Sequence, residues 1–229
     1  MNARLTLKAA LAGAVVVATL GMGLGAQTTG VHPISGRQFA PVMGAAGASW
    51  LDRAERDLEE EPDRAIALLS LKPGAVVADV GAGSGYMTER LAKRVGSAGK
   101  VYAVDIQPEM LRLLNQRLIA RRITNVVAIQ GNVDDPRLPP SMLDLELLVD
   151  VYHEFSAPQA MLRHLREALK PDGRLVLLEY RKEDPAIPIR EEHKMTVAEA
   201  KLEVEAEGFV LSQTNEALPR QHILVFTKR

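Results

Sequence analysis

The amino-acid sequence predicts an α/β fold: a doubly wound, mostly parallel sheet with an antiparallel edge at its C-terminal end. Three observations carry this expectation. Apolar, β-branched runs alternate five times with segments whose apolar residues recur every three to four positions. Two of the runs, 126–130 and 145–151, are apolar along nearly their whole length, as strands covered on both faces are. The chain then ends in two strand-like runs, 209–217 and 222–228, joined by a turn at Pro219. With 229 residues, 47 % hydrophobic and 25 % charged, the chain suffices for one such domain and is too short for two large ones.

The elements follow in order. Residues 50–61 read as a charged amphipathic helix with Trp50, Leu51, Ala54 and Leu58 as apolar positions, broken by Pro62. A short helix over 63–71 ends at Lys72-Pro73-Gly74, completing a helical cap over 50–72. Residues 75–80 form the first strand and 86–95 a helix with Met87, Leu91 and Val95 on one face. Residues 100–106 form the second strand, after which Pro108 opens a helix striped by Met110, Leu114 and Leu118; a proline costs nothing where the N–H has no partner. Strands at 126–130 and 145–151 come next. Ser156-x-x-Gln159 reads as a capping box for a helix ending at Lys170-Pro171-Asp172-Gly173, and 174–180 is strand five. Thr196-x-x-Glu199 caps a further helix that Gly208 closes.

The N-terminal segment has a different character. Arg4 and Lys8 precede an apolar block over 9–20 and a small-residue stretch over 21–26, with no charge between Lys8 and Arg37. This is the pattern of a secretory signal peptide, or an anchor if uncleaved, over residues 1–26. It predicts a domain that works outside the cytoplasm, periplasmic or secreted. Residues 27–49, rich in Gly, Ala and Pro, read as a linker or as an arm ordered only against the domain, leaving 50–229 as the domain itself. The absence of cysteine excludes disulfides and thiolate chemistry. A net charge of −1, with Arg121-Arg122 as the densest basic spot, argues against a nucleic-acid partner. Oligomeric state is left open.

In such sheets ligands bind beyond the carboxyl ends of the strands, where the strand order switches. The loop after the first strand is Gly81-x-Gly83-x-Gly85, with Asp79 two residues before the first glycine. Three glycines can simply make a tight strand-to-helix turn. A dinucleotide fingerprint is spaced G-x-G-x-x-G and aims a helix N-terminus at a pyrophosphate. Asp79 would repel a pyrophosphate and attract an ammonium or sulfonium group, so the turn suits a ligand with a cationic amino-acid end. Asp105 ends the second strand where a carboxylate can accept both ribose hydroxyls, and Ile106 can lie against an adenine face. Asn132 and Val133, after the third strand, stand where an adenine edge would sit. Taken singly, each of these residues also fits a plain turn or cap.

Together, VADVGAGSG, AVDIQPEM, GNVDDPRLP, LELLVDVYHEF and LKPDGRLVLLE resemble, in order and separation, the class I S-adenosylmethionine-dependent methyltransferases. The nearest likeness is to the small-molecule and quinone-type branch, over residues 75–229. The resemblance implies a Rossmann-like, seven-stranded sheet with an antiparallel last strand. It implies S-adenosyl-L-methionine as cofactor, with Asp79, Gly81, Gly83 and Gly85 around the methionine moiety, Asp105 on the ribose, and Ile106, Asn132 and Val133 around adenine. Asn132 departs from the Asp usual in the family, although its carbonyl can still accept from the adenine amino group. Asp150 matches the position bordering the transferred methyl group.

Methyl transfer from a sulfonium is an in-line displacement in which alignment and exclusion of water supply most of the help. His153, in the Tyr152-His153-Glu154-Phe155 segment after strand four, is the candidate base or acceptor-orienting group, with Glu154 as its partner. Tyr152 and Phe155 read as pocket or core residues. Arg181, Arg190 and His193 lie in the connection after strand five, either facing an anionic acceptor or in a solvated loop. His153, Glu154, Glu179 and His193 are metal-binding types, but their spacing matches no closed site and no metal is expected. Trp50 either closes over the cofactor or packs in the core. The expected function is methyl transfer to a small-molecule or lipid-like acceptor. An exported, non-catalytic nucleoside-binding sensor or scaffold with the same pocket is the alternative. A nicotinamide-dependent oxidoreductase is disfavoured by the glycine spacing and by Asp79.

Overall fold

The computed structural model describes residues 30–229. The expected signal peptide, residues 1–26, lies outside the described residues. Among the described residues, no helix is long and apolar enough to cross a membrane.

Seven strands form one sheet: β1 (Val76–Val80), β2 (Lys100–Asp105), β3 (Val126–Gln130), β4 (Leu143–Val149), β5 (Leu169–Tyr180), β6 (Phe209–Asn215) and β7 (Gln221–Lys228). Their spatial order is β3-β2-β1-β4-β5-β7-β6. β1 to β5 run parallel, and β7 inserts antiparallel between β5 and β6. The helices are α1 (Ala48–Leu51), α2 (Arg56–Glu60), α3 (Pro62–Leu68), α4 (Tyr86–Val95), α5 (Pro108–Arg121), α6 (Pro158–Ala168) and α7 (Val197–Glu205). The chain winds outward from β1 to β3 and then returns to place β4 on the other side of β1. That reversal opens a crevice beyond the carboxyl ends of β1 and β4, between the loops after Val80 and Val149.

The sheet is buried on both faces, which is why its central strands are apolar at consecutive positions. Val77, Leu145, Leu147, Val176 and Leu178 pack with α3 and α4 on one face. Ala78, Val80, Leu148, Leu175 and Leu177 pack with α6 and α7 on the other. Glu146 sits on this second face with both carboxylate oxygens buried and unpartnered.

Three local expectations are corrected. Residues 50–61 form two short helices instead of one, because side chains take carbonyls a continuous helix would use: Arg53 Nη1 donates to Trp50 O at 2.9 Å and Arg56 Nη1 to Leu51 O at 3.0 Å. The capping box at Ser156 does not form. Pro158, with φ fixed by its ring, takes the first helical position of α6, so Ala157 becomes the N-cap and Ser156 lies outside the helix. β5 begins at Leu169, before the expected turn, and its ladder with β4 shifts register between Leu143 and Leu145. Gly173 permits this: a Cβ there would stand 2.7 Å from Leu143 O, so only glycine lets the backbones approach so closely. The Thr196–Glu199 capping box is present with both reciprocal bonds.

Residues 30–47 act as an ordered arm, not a linker. Arg37 donates through Nε and Nη2 to Glu203, each at 3.1 Å, and through Nη1 to the carbonyl of His153 at 3.0 Å. Ala40 N–H donates to that same carbonyl at 3.0 Å. The arm therefore crosses the crevice and is tied to the loop after β4.

Candidate active site

The crevice is a cavity of about 630 Å³, within the range of small-molecule and cofactor sites. It is lined by Asp79, Gly81, Gly83, Asp105, Ile106, Asn132, Val133, Asp150, His153 and Glu154, so the structure brings nearly all the sequence-nominated residues to one place. Gly85 stands just behind, opening α4 at φ +88° as its N-cap.

The glycine turn is poorly suited to a pyrophosphate. The N–H groups of Gly81 and Ala82 both donate to Val104 O, at 2.8 and 2.9 Å. Gly83 N–H donates to Asp105 Oδ2 at 2.9 Å, and Gly85 N–H to Ala82 O at 2.9 Å. These amides are spent within the fold, so they form no anion nest. Gly81 is required sterically: at φ +78°, an added Cβ would lie 2.4 Å from Val151 Cγ2. The turn brings the chain tight against the β4 loop and leaves the cavity beside it.

Acidic groups line the inner end. Asp79 is fully buried, and desolvation pushes its carboxyl up to about 6 even though Thr88 Oγ1 donates to Oδ2 at 2.5 Å. Asp150 holds a left-handed backbone at φ +51°. Its Oδ2 accepts from Gln221 Nε2 at 2.7 Å, while its buried Oδ1 has no partner. Burial, then the nearby Glu60 and Glu179, raise its carboxyl well above the usual range. Arg56 stands 3.9 Å from Asp150 and donates through Nε to Glu60 at 2.6 Å, supplying one buried cation among these carboxylates. Asp105 Oδ1 accepts from Gln107 N–H at 2.8 Å, and burial raises its carboxyl as well.

The outer end carries a second polar group. The expected pairing of His153 with Glu154 is not found. His153 Nδ1 lies 2.6 Å from Glu179 Oε2, and Glu179 Oε1 accepts from Tyr152 N–H at 2.9 Å. β4 and β5 are neighbours, so their carboxyl ends place Glu179 beneath the turn holding His153. Burial pulls the His153 imidazole down, but the Glu179 carboxylate outweighs it and holds the ring above its ordinary value. Glu154 instead accepts from Met43 N–H of the arm at 3.2 Å, and burial raises its carboxyl to about 7. Gln107 Nε2 donates to Met43 O at 2.9 Å, so the arm joins the β2 and β4 loops across the cavity.

Of the residues after β5, His193 and Arg190 line the cavity. Arg181 does not belong to the site. Its guanidinium donates to Glu216 and to the carbonyls of Leu218, Pro219 and Gln221, holding the β6–β7 turn. Trp50 lines the cavity mouth, half-exposed under Arg53, instead of packing in the core. Tyr152 is core and Phe155 lines the cavity. Sequence reasoning missed Arg56, Gln107, Met43 and Arg37 as site-building residues, and it did not give Glu179 its role behind His153.

Residues 71–219 match a family profile described as a methyltransferase domain. The chain belongs to that family. The residue-level likeness extends to ubiquinone/menaquinone biosynthesis C-methyltransferases UbiE. That of Cupriavidus taiwanensis is 31 % identical over 117 residues, 51 % of this chain and 48 % of the relative. That of Hydrogenovibrio crunogenus is 34 % identical over 119 residues, 52 % and 47 % of the two chains. The chain thus spans about half the length of the curated relatives it matches. A crystal structure of a SAM-dependent methyltransferase from Aquifex aeolicus superposes with a TM-score of 0.77 at 26 % identity, covering 81 % of this chain and 98 % of that one. The [4+2]-cyclase SpnF shares the fold alone, at TM-score 0.61 and 17 % identity over 72 % of this chain and 81 % of its own.

The cofactor of this methyltransferase family is S-adenosylmethionine, and the cavity fits it. The orphaned Asp150 Oδ1 and the buried Asp79 offer acceptors for the ammonium end. Arg56 would be the cation for its carboxylate, Asp105 the acceptor for ribose, and Ile106, Asn132 and Val133 the adenine surround, all of them in the cavity lining. Asn132 already holds its carbonyl toward Arg137 Nη2, at 3.2 Å.

Proposed function

We propose that this methyltransferase transfers a methyl group from S-adenosylmethionine to a small-molecule or lipid-like acceptor, and that it does so outside the cytoplasm. The observation that carries the acceptor reading is the division of one cavity into two ends. The inner end is lined by carboxylates suited to a cationic amino acid. The outer end is taken as the His153, Glu154 and His193 group, which shares the lining with the apolar Met43, Phe155 and Ile189, a mix of apolar surface and placed polar groups that small-molecule sites have. The UbiE likeness, which covers about half of those proteins, supports an acceptor with an apolar ring system.

When bound, the cofactor supplies an electrophilic methyl carbon on a sulfonium. Asp79, Asp150 and Asp105 fix its orientation, and the 30–47 arm keeps water from the reacting pair. His153, held in one orientation by Glu179, meets the acceptor's reacting group at the outer end. The export reading rests on the N-terminal pattern: residues 1–30 fused to a reporter active only outside the cytoplasm are expected to give signal, and activity of a cytoplasmic reporter instead would reverse it.

The deciding experiment is a screen of phenolic, quinol, thiol and amine acceptors with methyl-labelled S-adenosylmethionine. Label transfer that is lost in His153→Ala, with cofactor binding retained, is expected. Unchanged turnover in that variant removes His153 from the mechanism. Cofactor binding with no transfer to any acceptor class favours the sensor or scaffold reading.

A further inference from the structure

We propose that His153, Glu154 and His193 form a binding site for one divalent transition-metal cation, Zn²⁺ or a close relative, at the acceptor end of the cavity. These residues each bring one ligand-type atom to a common locus, all within 4.8 Å of one another. His153 Nε2 and His193 Nδ1 lie 3.1 Å apart with their rings nearly perpendicular, at 84°. Two imidazole nitrogens on a tetrahedral zinc, at 2.0–2.1 Å each, stand about 3.3–3.4 Å apart, so the pair already has the required bite.

The support around the site points the same way. A metal-ligating histidine commonly gives its other ring N–H to a carboxylate, which fixes the tautomer and the ring orientation. His153 Nδ1 faces Glu179 Oε2 at 2.6 Å, and Glu179 is fully buried with its other oxygen held by Tyr152 N–H. A carboxylate can only accept, so Nδ1 carries a proton, and in the neutral ring that ligates a metal Nε2 presents its lone pair toward His193. Glu154 has one oxygen occupied, by Met43 N–H, and one available for a metal. Glu179 is then a positioning residue, acting through His153.

Two histidines and a carboxylate leave at least one coordination position open, the pattern of a working metal and not of a closed structural one. The site borders the cavity, so the open position faces the space assigned above to the acceptor. The ligand class there is an acceptor with an ionisable hydroxyl or thiol, whose proton the cation makes easier to lose. This acceptor assignment rests on the methyltransferase reading; the metal site itself rests only on the geometry. The sequence offers these residues as metal-binding types, but the 40-residue separation of His153 and His193 matches no closed-site spacing. The cluster forms because the turn after β4 and the turn at Glu191–His193 after β5 both overhang the carboxyl ends of adjacent parallel strands.

The test is a Co²⁺ titration of the chelator-treated protein followed by visible absorption, with Zn²⁺ competition, and calorimetry with S-adenosylhomocysteine on the same samples. Nitrogen-ligand Co²⁺ bands saturating at one equivalent and displaced by Zn²⁺ are expected. His193→Ala, at a partly exposed position outside the core, is expected to abolish them while S-adenosylhomocysteine still binds. Glu179→Gln is expected to weaken Zn²⁺ binding about 10–100-fold. No saturable bands, or bands unchanged in His193→Ala, would overturn the proposal; the 3.1 Å contact is then an ordinary N–H···N hydrogen bond between the rings. S-adenosylhomocysteine binding without Co²⁺ uptake overturns the metal site alone. Co²⁺ uptake without S-adenosylhomocysteine binding overturns the cofactor reading and leaves the metal site standing.

Discussion

Replacing Asp79 by Asn should make the ligand-free protein more stable and the cofactor complex weaker. Asp79 is buried beneath the glycine turn, and desolvation raises its carboxyl from 3.8 to about 6. A folded-state value above the unfolded one means the folded protein binds the extra proton between those limits. Stability therefore falls as pH rises through this window, and the full cost of the buried charge is present above about pH 6. Two pH units at 1.36 kcal/mol each put that cost at about 3 kcal/mol. Asn keeps an oxygen that can accept from Thr88 Oγ1 and carries no charge. The variant should thus gain up to about 3 kcal/mol at pH 8, or roughly 6–12 °C in melting temperature for a chain of this size, and almost nothing near pH 4. Losing a charge-assisted bond to the ligand's ammonium should cost about ten- to hundredfold in S-adenosylmethionine affinity. Urea unfolding and calorimetry at pH 4.5 and 8 measure both effects. A stability gap independent of pH, or a variant less stable than wild type at pH 8, would refute the reasoning.

Two further substitutions test the packing that shapes the site. Gly81→Ala should destabilise the fold by about 2–5 kcal/mol, from overpacking against Val151 and the cost of a side chain at φ +78°, and thermal unfolding reads it directly. A change under 0.5 kcal/mol would mean the turn is not wedged against β4 as described. Glu146→Met removes a fully buried carboxyl with two unpartnered oxygens from an apolar face, and should stabilise by about 1–3 kcal/mol in urea unfolding. Destabilisation would mean that the attraction of Glu146 to Lys228 outweighs the cost of burying its carboxyl.

The parts legible in the sequence were those whose cause is local. The Gly81–Gly85 turn is set by backbone conformations glycine alone adopts readily, and Asp105 by its place at a strand end. Strand periodicity gave the sheet, and Thr196 with Glu199 gave a helix start that the structure shows bond for bond. The rest depends on partners distant in sequence. Glu179 pairs with His153 only because β5 lies beside β4, and a neighbour-strand argument applied to both carboxyl ends would have found it. Arg37 reaches Glu203 across 166 residues, and no periodicity marks such a contact. The break between α1 and α2 arises from arginines bonding to helix carbonyls, which propensity alone does not register. His193 stays open in the sequence, between facing an anionic acceptor and lying in a solvated loop, because the turn that aims it inward is a single short 3-10 segment.

The central claim, a cavity built for a cationic nucleoside, is tested most directly by calorimetry of the purified protein with S-adenosylmethionine, S-adenosylhomocysteine and NAD(H), alongside Asp105→Ala. Micromolar binding of the first two, lost in the variant, and no binding of NAD(H) is the predicted result. Binding of NAD(H) with none of S-adenosylmethionine would contradict it.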